Sequence, residues 1–384
     1  MTGVPTIDGE RVRSHLDNHR AQLVDDLATL VSTESPSLDV ERLTRSAQVL
    51  SDIFRARLGS PATLIDSPHG PHVHWSGGGT PRVLIVGHHD TVFPAGTVAA
   101  RPFACDGERA TGPGVFDMKA GIIQAIHGVA ALGSTHQAVQ GVEFLITSDE
   151  EVGSHASRAL LEERAKACGA VLVLEPSADG GALKIARKGT GTFIVKIHGR
   201  AAHAGLEPHK GVNALVEAAE QVRRIATFGN PALGTTVTPT VAKAGTADNV
   251  VPDYAEVSVD VRCESAVERE RIESAFASLT AVLPDARIIV DGGMNRPPLP
   301  AEMTAELFAL ARTVAPSVGI ADLQGVAVGG GSDGNLTAAV GVRTLDGLGA
   351  VGGGAHAESE HVIVAHMPER AALIAALVAE IARS

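Results

Sequence analysis

Aromatic residues are nearly absent. One Trp, one Tyr and nine Phe make up 3% of the 384 residues, so the interior has to be packed with Ala, Val, Leu and Ile. Cysteine is scarce as well. Cys105, Cys168 and Cys263 are odd in number and far apart. That spacing excludes a disulfide framework and a Cys-x-x-Cys metal knuckle, and it fits free thiols in a reducing cytosol. Positive charge is in deficit: the formal net charge is −12 and no basic run occurs. Nucleic acid is therefore not an expected partner. No uninterrupted apolar stretch reaches the roughly 20 residues that span a bilayer, so no membrane association is expected. Met1 to Arg13 lacks the apolar core of a signal peptide, and the expected location is cytoplasmic.

What the chain does have is a series of strand ends that carry imidazole and carboxylate. The run Val83-Leu84-Ile85-Val86-Gly87 stops at His88-His89-Asp90. Alternate residues of a strand share a side, so His88 and Asp90 point together and His89 points away. Val142 to Ile146 reads as a strand that leaves into Asp149-Glu150-Glu151, and Ala170 to Leu174 as one that ends at Glu175. Asp117 precedes an apolar helix and has helix N-cap as its ordinary reading. In an α/β sheet, ligands bind outside the carboxyl ends of the strands, which gathers these residues on one edge.

The flanking pattern is helical. Residues 10 to 31 read as one amphipathic helix through Leu16, Leu23, Leu27 and Leu30, broken by Ser35-Pro36-Ser37. A second runs through Leu43 to Phe54 and is stopped by Gly59. Pro94 to Gly114 reads as a loop, and His69, His72 and His74 as loop residues. His127 reads as a packed core histidine. From Gly189 the rhythm changes to β-α-β-β-α-β, the order of a ferredoxin-like module. The expected fold is therefore α/β, a mixed-sheet domain in two segments (1–188 and 297–384) with an inserted ferredoxin-like α+β domain over 189–296. Two glycine clusters, Gly329-Gly330-Gly331-Ser332-Asp333 and Gly352-Gly353-Gly354-Ala355-His356, follow; neither precedes a Walker Lys-Ser/Thr, which argues against a phosphate cradle.

His88, Asp117, Glu151, Glu175 and His356 form a nitrogen and oxygen donor set with no thiolate. Such a set suits zinc, manganese or cobalt in a hydrolytic site. Five ligands exceed one tetrahedral zinc but fit two metals sharing a carboxylate. A cation pair also lets so many acids converge. Glu150, beside Glu151, is the candidate general base.

The motifs around these residues occur in a telling order: Gly87-His88-His89-Asp90-Thr91-Val92, Gly112-Pro113-Gly114-Val115-Phe116-Asp117-Met118-Lys119-Ala120-Gly121, Ser148-Asp149-Glu150-Glu151-Val152-Gly153-Ser154 and Leu174-Glu175-Pro176. Together they resemble the co-catalytic zinc metallopeptidase family of glutamate carboxypeptidase, aminoacylase, acetylornithine deacetylase and succinyl-diaminopimelate desuccinylase. The likeness is greatest to glutamate carboxypeptidase-like members and covers nearly the whole chain. It implies a di-zinc exopeptidase domain with an inserted lid or dimerisation domain. Asp117 would bridge two divalent ions, usually zinc, with cobalt often substituting. His88 and Glu175 would complete one position, Glu151 and His356 the other. Asp90 would support His88, and Glu150 would act as base. The tail, with Glu360 four positions after His356, matches the deacetylase-type ending, and His361 is the alternative ligand.

In the inserted domain, Gly199-Arg200-Ala201-Ala202-His203-Ala204-Gly205 resembles the family's lid turn. His203 would then stabilise the oxyanion, usually across a homodimer interface. Asn249, Arg262 and Arg296 match positions that hold the substrate's carboxylate, and Lys188 is a further pocket cation; an Arg fork suits a carboxylate bidentately. Surface salt bridges are the ordinary reading for Arg262 and Arg296. The expected activity is hydrolysis, by metal-activated water, of an amide bond next to a free carboxylate in an N-acyl amino acid or short peptide. A deacetylase or desuccinylase is the alternative, and a non-catalytic amino-acid or peptide binder on the same fold is the alternative of another class.

Overall fold

The computed structural model describes residues 7–133 and 139–383. The expectation for Met1 to Arg13 falls partly on residues 1–6, which lie outside that range. Two compact units emerge: residues 1–186, 301–327 and 332–384 in one, and 187–300 with 328–331 in the other. No described helix is long and apolar enough to cross a membrane.

The first unit is built on a six-stranded mixed sheet. Its strand order is Thr63–Ile65, His72–Ser76, Val142–Thr147, Val83–His88, Ala170–Val173, Thr344–Leu345. The first two pairings are antiparallel and the remaining three parallel. Every residue of the three central strands is buried. Unbroken apolar runs such as Val83 to Val86 are what a sheet covered on both faces requires. Alternation divides them. Val83 and Ile85 join the core formed with Ile122, Ile126 and Leu373, while Leu84 and Val86 join the one formed with Leu161 and Leu336. The few aromatics are concentrated: Phe54 stacks on Trp75 and Phe144 meets both edge-on, with ring centroids 5.1 to 6.0 Å apart.

Several expectations need correction. The helix expected over residues 10–31 is two, Gly9–Asn18 and Arg20–Ser32, broken at His19. A one-residue break leaves the leucine stripe in phase, so the periodicity does not betray it. Pro94 to Gly114 contains the short helix Thr97–Ala100 and two strands, Ala104–Cys105 and Arg109–Thr111. These strands join Gly352–Gly353 and His361–Ile363 in a small sheet, a pairing between distant segments that local pattern cannot reveal. His72 and His74 lie on a strand, and His72 is buried. His127 is packed, as expected, but its Nε2 also meets Asp26 Oδ2 at 2.6 Å.

The second unit holds the β-α-β-β-α-β order. Its four strands, Thr236–Ala244, Tyr254–Cys263, Gly189–His198 and Arg287–Arg296, pair in that order and all antiparallel. Phe193, Val195 and Ile197 face Ala255, Val257, Val259 and Val261 in one core. Phe276, from the helix Ala266–Ala277, stacks on Phe193 at 3.8 Å between centroids.

Helix Ala120–Ala131 carries the turn with Asp117 at its start and packs along Met367–Arg383. The approach is close at Gly128, where an added Cβ would lie 2.3 Å from the Ala371 carbonyl oxygen. Gly128→Ala should therefore force the two helices apart and cost about 1–3 kcal/mol. A lowered urea midpoint with an unchanged slope would show it; an unchanged midpoint would refute it.

Candidate metal centre

The sheet order sets the site. Val142–Thr147, Val83–His88 and Ala170–Val173 are neighbours and parallel, so their carboxyl ends lie side by side. Neighbouring strands are about 4.8 Å apart, which suits ligands converging on small ions. His88 closes the middle strand, Glu150 and Glu151 follow one neighbour, and Glu175 follows the other. Asp117 comes from the turn before Ala120–Ala131, and His356 from the tail loop.

The five expected ligands converge around Asp117. Its Oδ1 lies 3.2 Å from His88 Nε2 and its Oδ2 lies 3.4 Å from His356 Nε2. His88 Nε2 is also 3.6 Å from Glu175 Oε1, and His356 Nε2 is 3.2 Å from Glu151 Oε2. Asp117 thus presents one oxygen to each of two imidazole–carboxylate pairs. Ligand atoms of His88, Asp117 and Glu151 fall within 4.8 Å of one another, as do those of His88, Glu150 and Glu175. Glu151 Oε1 is buried with no hydrogen-bond partner among the described residues. An orphaned carboxylate oxygen is costly to bury, and a cation satisfies it. The donors fit a pair of divalent ions, with oxygen and imidazole suited to zinc, manganese or cobalt.

The electrostatics agree. Burial alone would depress the His88 imidazole, but Asp117, Asp90 and Glu175 outweigh it and hold it well above its ordinary range. His356 is pushed up to about 10 by Asp117 and Glu151. Burial opposes ionisation of Asp117, yet the two imidazoles hold it far below the usual carboxylate range. Glu151 moves the other way, raised by burial more than His356 lowers it. Without metal, protons on the two histidines would offset part of the charge of the acids.

Asp90 is a hub. His88 Nδ1 lies 3.0 Å from its carbonyl oxygen and 3.4 Å from Oδ1. A proton on Nδ1 directed there leaves Nε2 to face the ligand side. Asp90 also accepts from Ser37 Oγ at 2.7 Å, Glu150 N at 3.2 Å and Glu151 N at 3.3 Å. One carboxylate therefore orients the first histidine and the turn bearing both glutamates. Asp149 does not face this cluster; its Oδ2 accepts from Ala156 N at 2.7 Å and contacts His69. His89 meets Ser46 and the Pro71 carbonyl, away from the site, and His361 Nδ1 meets the Ser359 carbonyl.

Three supports escaped the sequence reading. Ser37 looked like part of a helix breaker. Asp333 bonds Thr147 and Ser154, on either side of the glutamate turn. Glu360 accepts three backbone N–H groups from the Asp117 turn. The one available signal was the Glu360 spacing from His356, which carries no information about its partners.

The remaining expected site residues lie in the second unit. His203 Nδ1 accepts from Gly205 N and Leu206 N, each at 3.1 Å, and Asn249 accepts from Ala204 N at 2.9 Å, so these two segments are paired. Arg262 grips Asp260 with two N–H groups at 2.9 and 2.7 Å. Lys188 Nζ donates to the Gly234 carbonyl at 2.6 Å and pairs with Glu264 at 3.2 Å. Arg296 is buried at the end of its strand, opposite Thr190.

Residues 185–284 match a family model described as a peptidase dimerisation domain, and residues 72–219 match one described as peptidase family M28. Carboxypeptidase G2 of Pseudomonas sp. (strain RS-16) is 31% identical over 318 residues, 79% of this chain and 75% of that protein. An M20 family metallo-carboxypeptidase from Sulfolobus solfataricus superposes with a TM-score of 0.73 at 15% identity, covering 93% of this chain and 98% of that one. A dinuclear metal-binding M20 peptidase from Bacillus subtilis gives 0.64 at 17% identity, with 95% and 99% covered. These two structures establish the shared fold, inserted dimerisation domain included. Sequence identity of this extent to Carboxypeptidase G2 goes further: the chain belongs to the M20 peptidase family and is a metal-dependent hydrolase of amide bonds.

Proposed function

We propose that this enzyme holds two zinc ions and hydrolyses the amide bond next to a free carboxylate, in an N-acyl amino acid or short peptide. The carrying observation is Asp117, whose two oxygens face His88 and His356 separately. A bound metal pair would polarise the scissile carbonyl and acidify an attacking water. Glu150 would take the proton from that water and deliver it to the departing amine. Its backbone N–H is held by Asp90, which fixes the turn it sits on. His203 would donate to the developing oxyanion. Arg296, Asn249, Arg262 and Lys188 would take the substrate's carboxylate, and the likeness to Carboxypeptidase G2 supports the carboxypeptidase reading over a deacetylase.

The test pairs metal content with hydrolysis of N-acetyl, N-succinyl, N-benzoyl and peptidyl amino acids. Wild type and Glu150→Gln should both hold two metals per chain, while kcat in the variant falls by roughly 10²- to 10⁴-fold. Full turnover in the variant would remove Glu150 as base. Fewer than two metals in the reconstituted wild type would remove the two-metal reading.

A homodimer through the inserted domain is part of the same reading. The Thr236–Ala244 strand is at a sheet edge with most residues exposed, and unpaired edges invite pairing with another chain. Leu215 and Val216 on Ala214–Ile225, and Val241 on the edge strand, are 52%, 46% and 50% exposed. Light scattering should give twice the chain mass for wild type, and Val241→Asp with Leu215→Asp should give the monomer. A wild-type monomer would overturn the dimer.

A further inference from the structure

We propose that Glu360 is a positioning residue that sets the second metal position, by tying the tail loop carrying His356 to the turn carrying Asp117. The inference rests on the two-metal reading above. Glu360 is 1% exposed. Its Oε1 accepts from Phe116 N and Asp117 N, and its Oε2 from Gly114 N, each at 2.9 Å. Gly112 and Gly114 stand at φ +148° and +71°, a conformation other residues rarely adopt, and the turn they shape directs the Gly114, Phe116 and Asp117 N–H groups at one point. A carboxylate fills that point from 243 residues away in sequence.

His356 needs such help. Its side chain is 51% exposed and its backbone sits at φ +63°, in the left-handed region. It belongs to no helix or strand. Its loop is pinned at the base by the pairing of Gly352–Gly353 with His361–Ile363. On one flank, Arg101 Nη1 donates to the Ala357 carbonyl at 3.0 Å while its guanidinium lies 4.7 Å over the Phe93 ring. Glu360 supplies the link to Asp117 itself. His88 is held differently, at the end of a buried strand and by Asp90. The Asp117 turn keeps a second anchor in Lys119, whose Nζ donates to the Leu30 and Thr33 carbonyls at 3.2 and 2.9 Å. Loosening Glu360 should therefore weaken the Asp117–His356 position while sparing the Asp117–His88 position.

The test titrates metal-free protein with Co²⁺, followed by visible absorption, in wild type, Glu360→Gln, His356→Ala and the double variant. Wild type should take up two equivalents. Glu360→Gln should keep the tighter one within about threefold and lose roughly 10- to 100-fold on the weaker. His356→Ala should remove that same weaker equivalent, and the double variant should then match His356→Ala alone. Equal weakening of both equivalents, wild-type affinity for both, or independent effects in the double variant would each overturn the proposal. A purely structural role would lower the melting temperature and weaken both equivalents alike. Should Glu360→Gln fail to fold, Glu360→Asp keeps the charge with a shorter reach and should show the same selectivity at smaller size. Fewer than two equivalents in wild type would overturn the two-metal reading itself, and with it this one.

Discussion

Carboxylates that converge in a buried place repel one another, and the first unit is arranged around that difficulty. Glu150, Glu151, Glu175 and Asp117 meet at one sheet edge, with Asp90 just behind. Burial disfavours every one of these charges. Each must be met by positive charge or by directed hydrogen bonds, or else take up a proton. The chain uses the first two. Asp90 receives backbone N–H groups and a hydroxyl, Asp117 stands between two imidazoles, and Glu151, raised by burial, is left with one oxygen unpartnered among the described residues. Divalent cations held among these ligands would add the positive charge that two imidazolium rings supply only in part.

The scaffold meets the same demand by direction of approach. Three ligand-bearing segments leave adjacent parallel strands, so their relative positions are set by the sheet's own spacing. Asp117 and His356 come from turns, where nothing in the sheet fixes them. The small sheet of Arg109–Thr111 with His361–Ile363 and the Glu360 carboxylate join those two turns to each other. Precision from strands and precision from cross-linked loops are thus combined in one site, and a metal-binding side chain placed loosely by even 1 Å loses much of its affinity.

That division also explains what the sequence discloses. Strand-end residues were legible because an apolar run that stops at His88 or Glu175 is a local signal. The ferredoxin-like module was legible for the same reason, as alternation and helix periodicity are local. The break at His19 was not, since it interrupts the helix for one residue and leaves Leu16 and Leu23 in phase on the same stripe. Nor was the burial of His72, which depends on its strand pairing with Val142–Thr147. Ser37, Asp333 and Glu360 escaped for a deeper reason. Their partners are a carboxylate, hydroxyls and backbone N–H groups 53, 179 to 186 and 243 to 246 residues away, and backbone donors carry no residue signature.

The two histidines also differ in how they would exchange protons for metal. Both are basic in the metal-free chain, because the carboxylates that would share the metals stabilise the imidazolium first. A ligating imidazole must be neutral, so metal binding at either has to displace a proton. His88 is buried, with Nδ1 directed to Asp90, so the proton to be lost sits on the Nε2 facing Asp117 and Glu175. His356 is half exposed, and water reaches its ring. A proton released there has a direct path to solvent, whereas the one on His88 has to leave through the carboxylates that surround it.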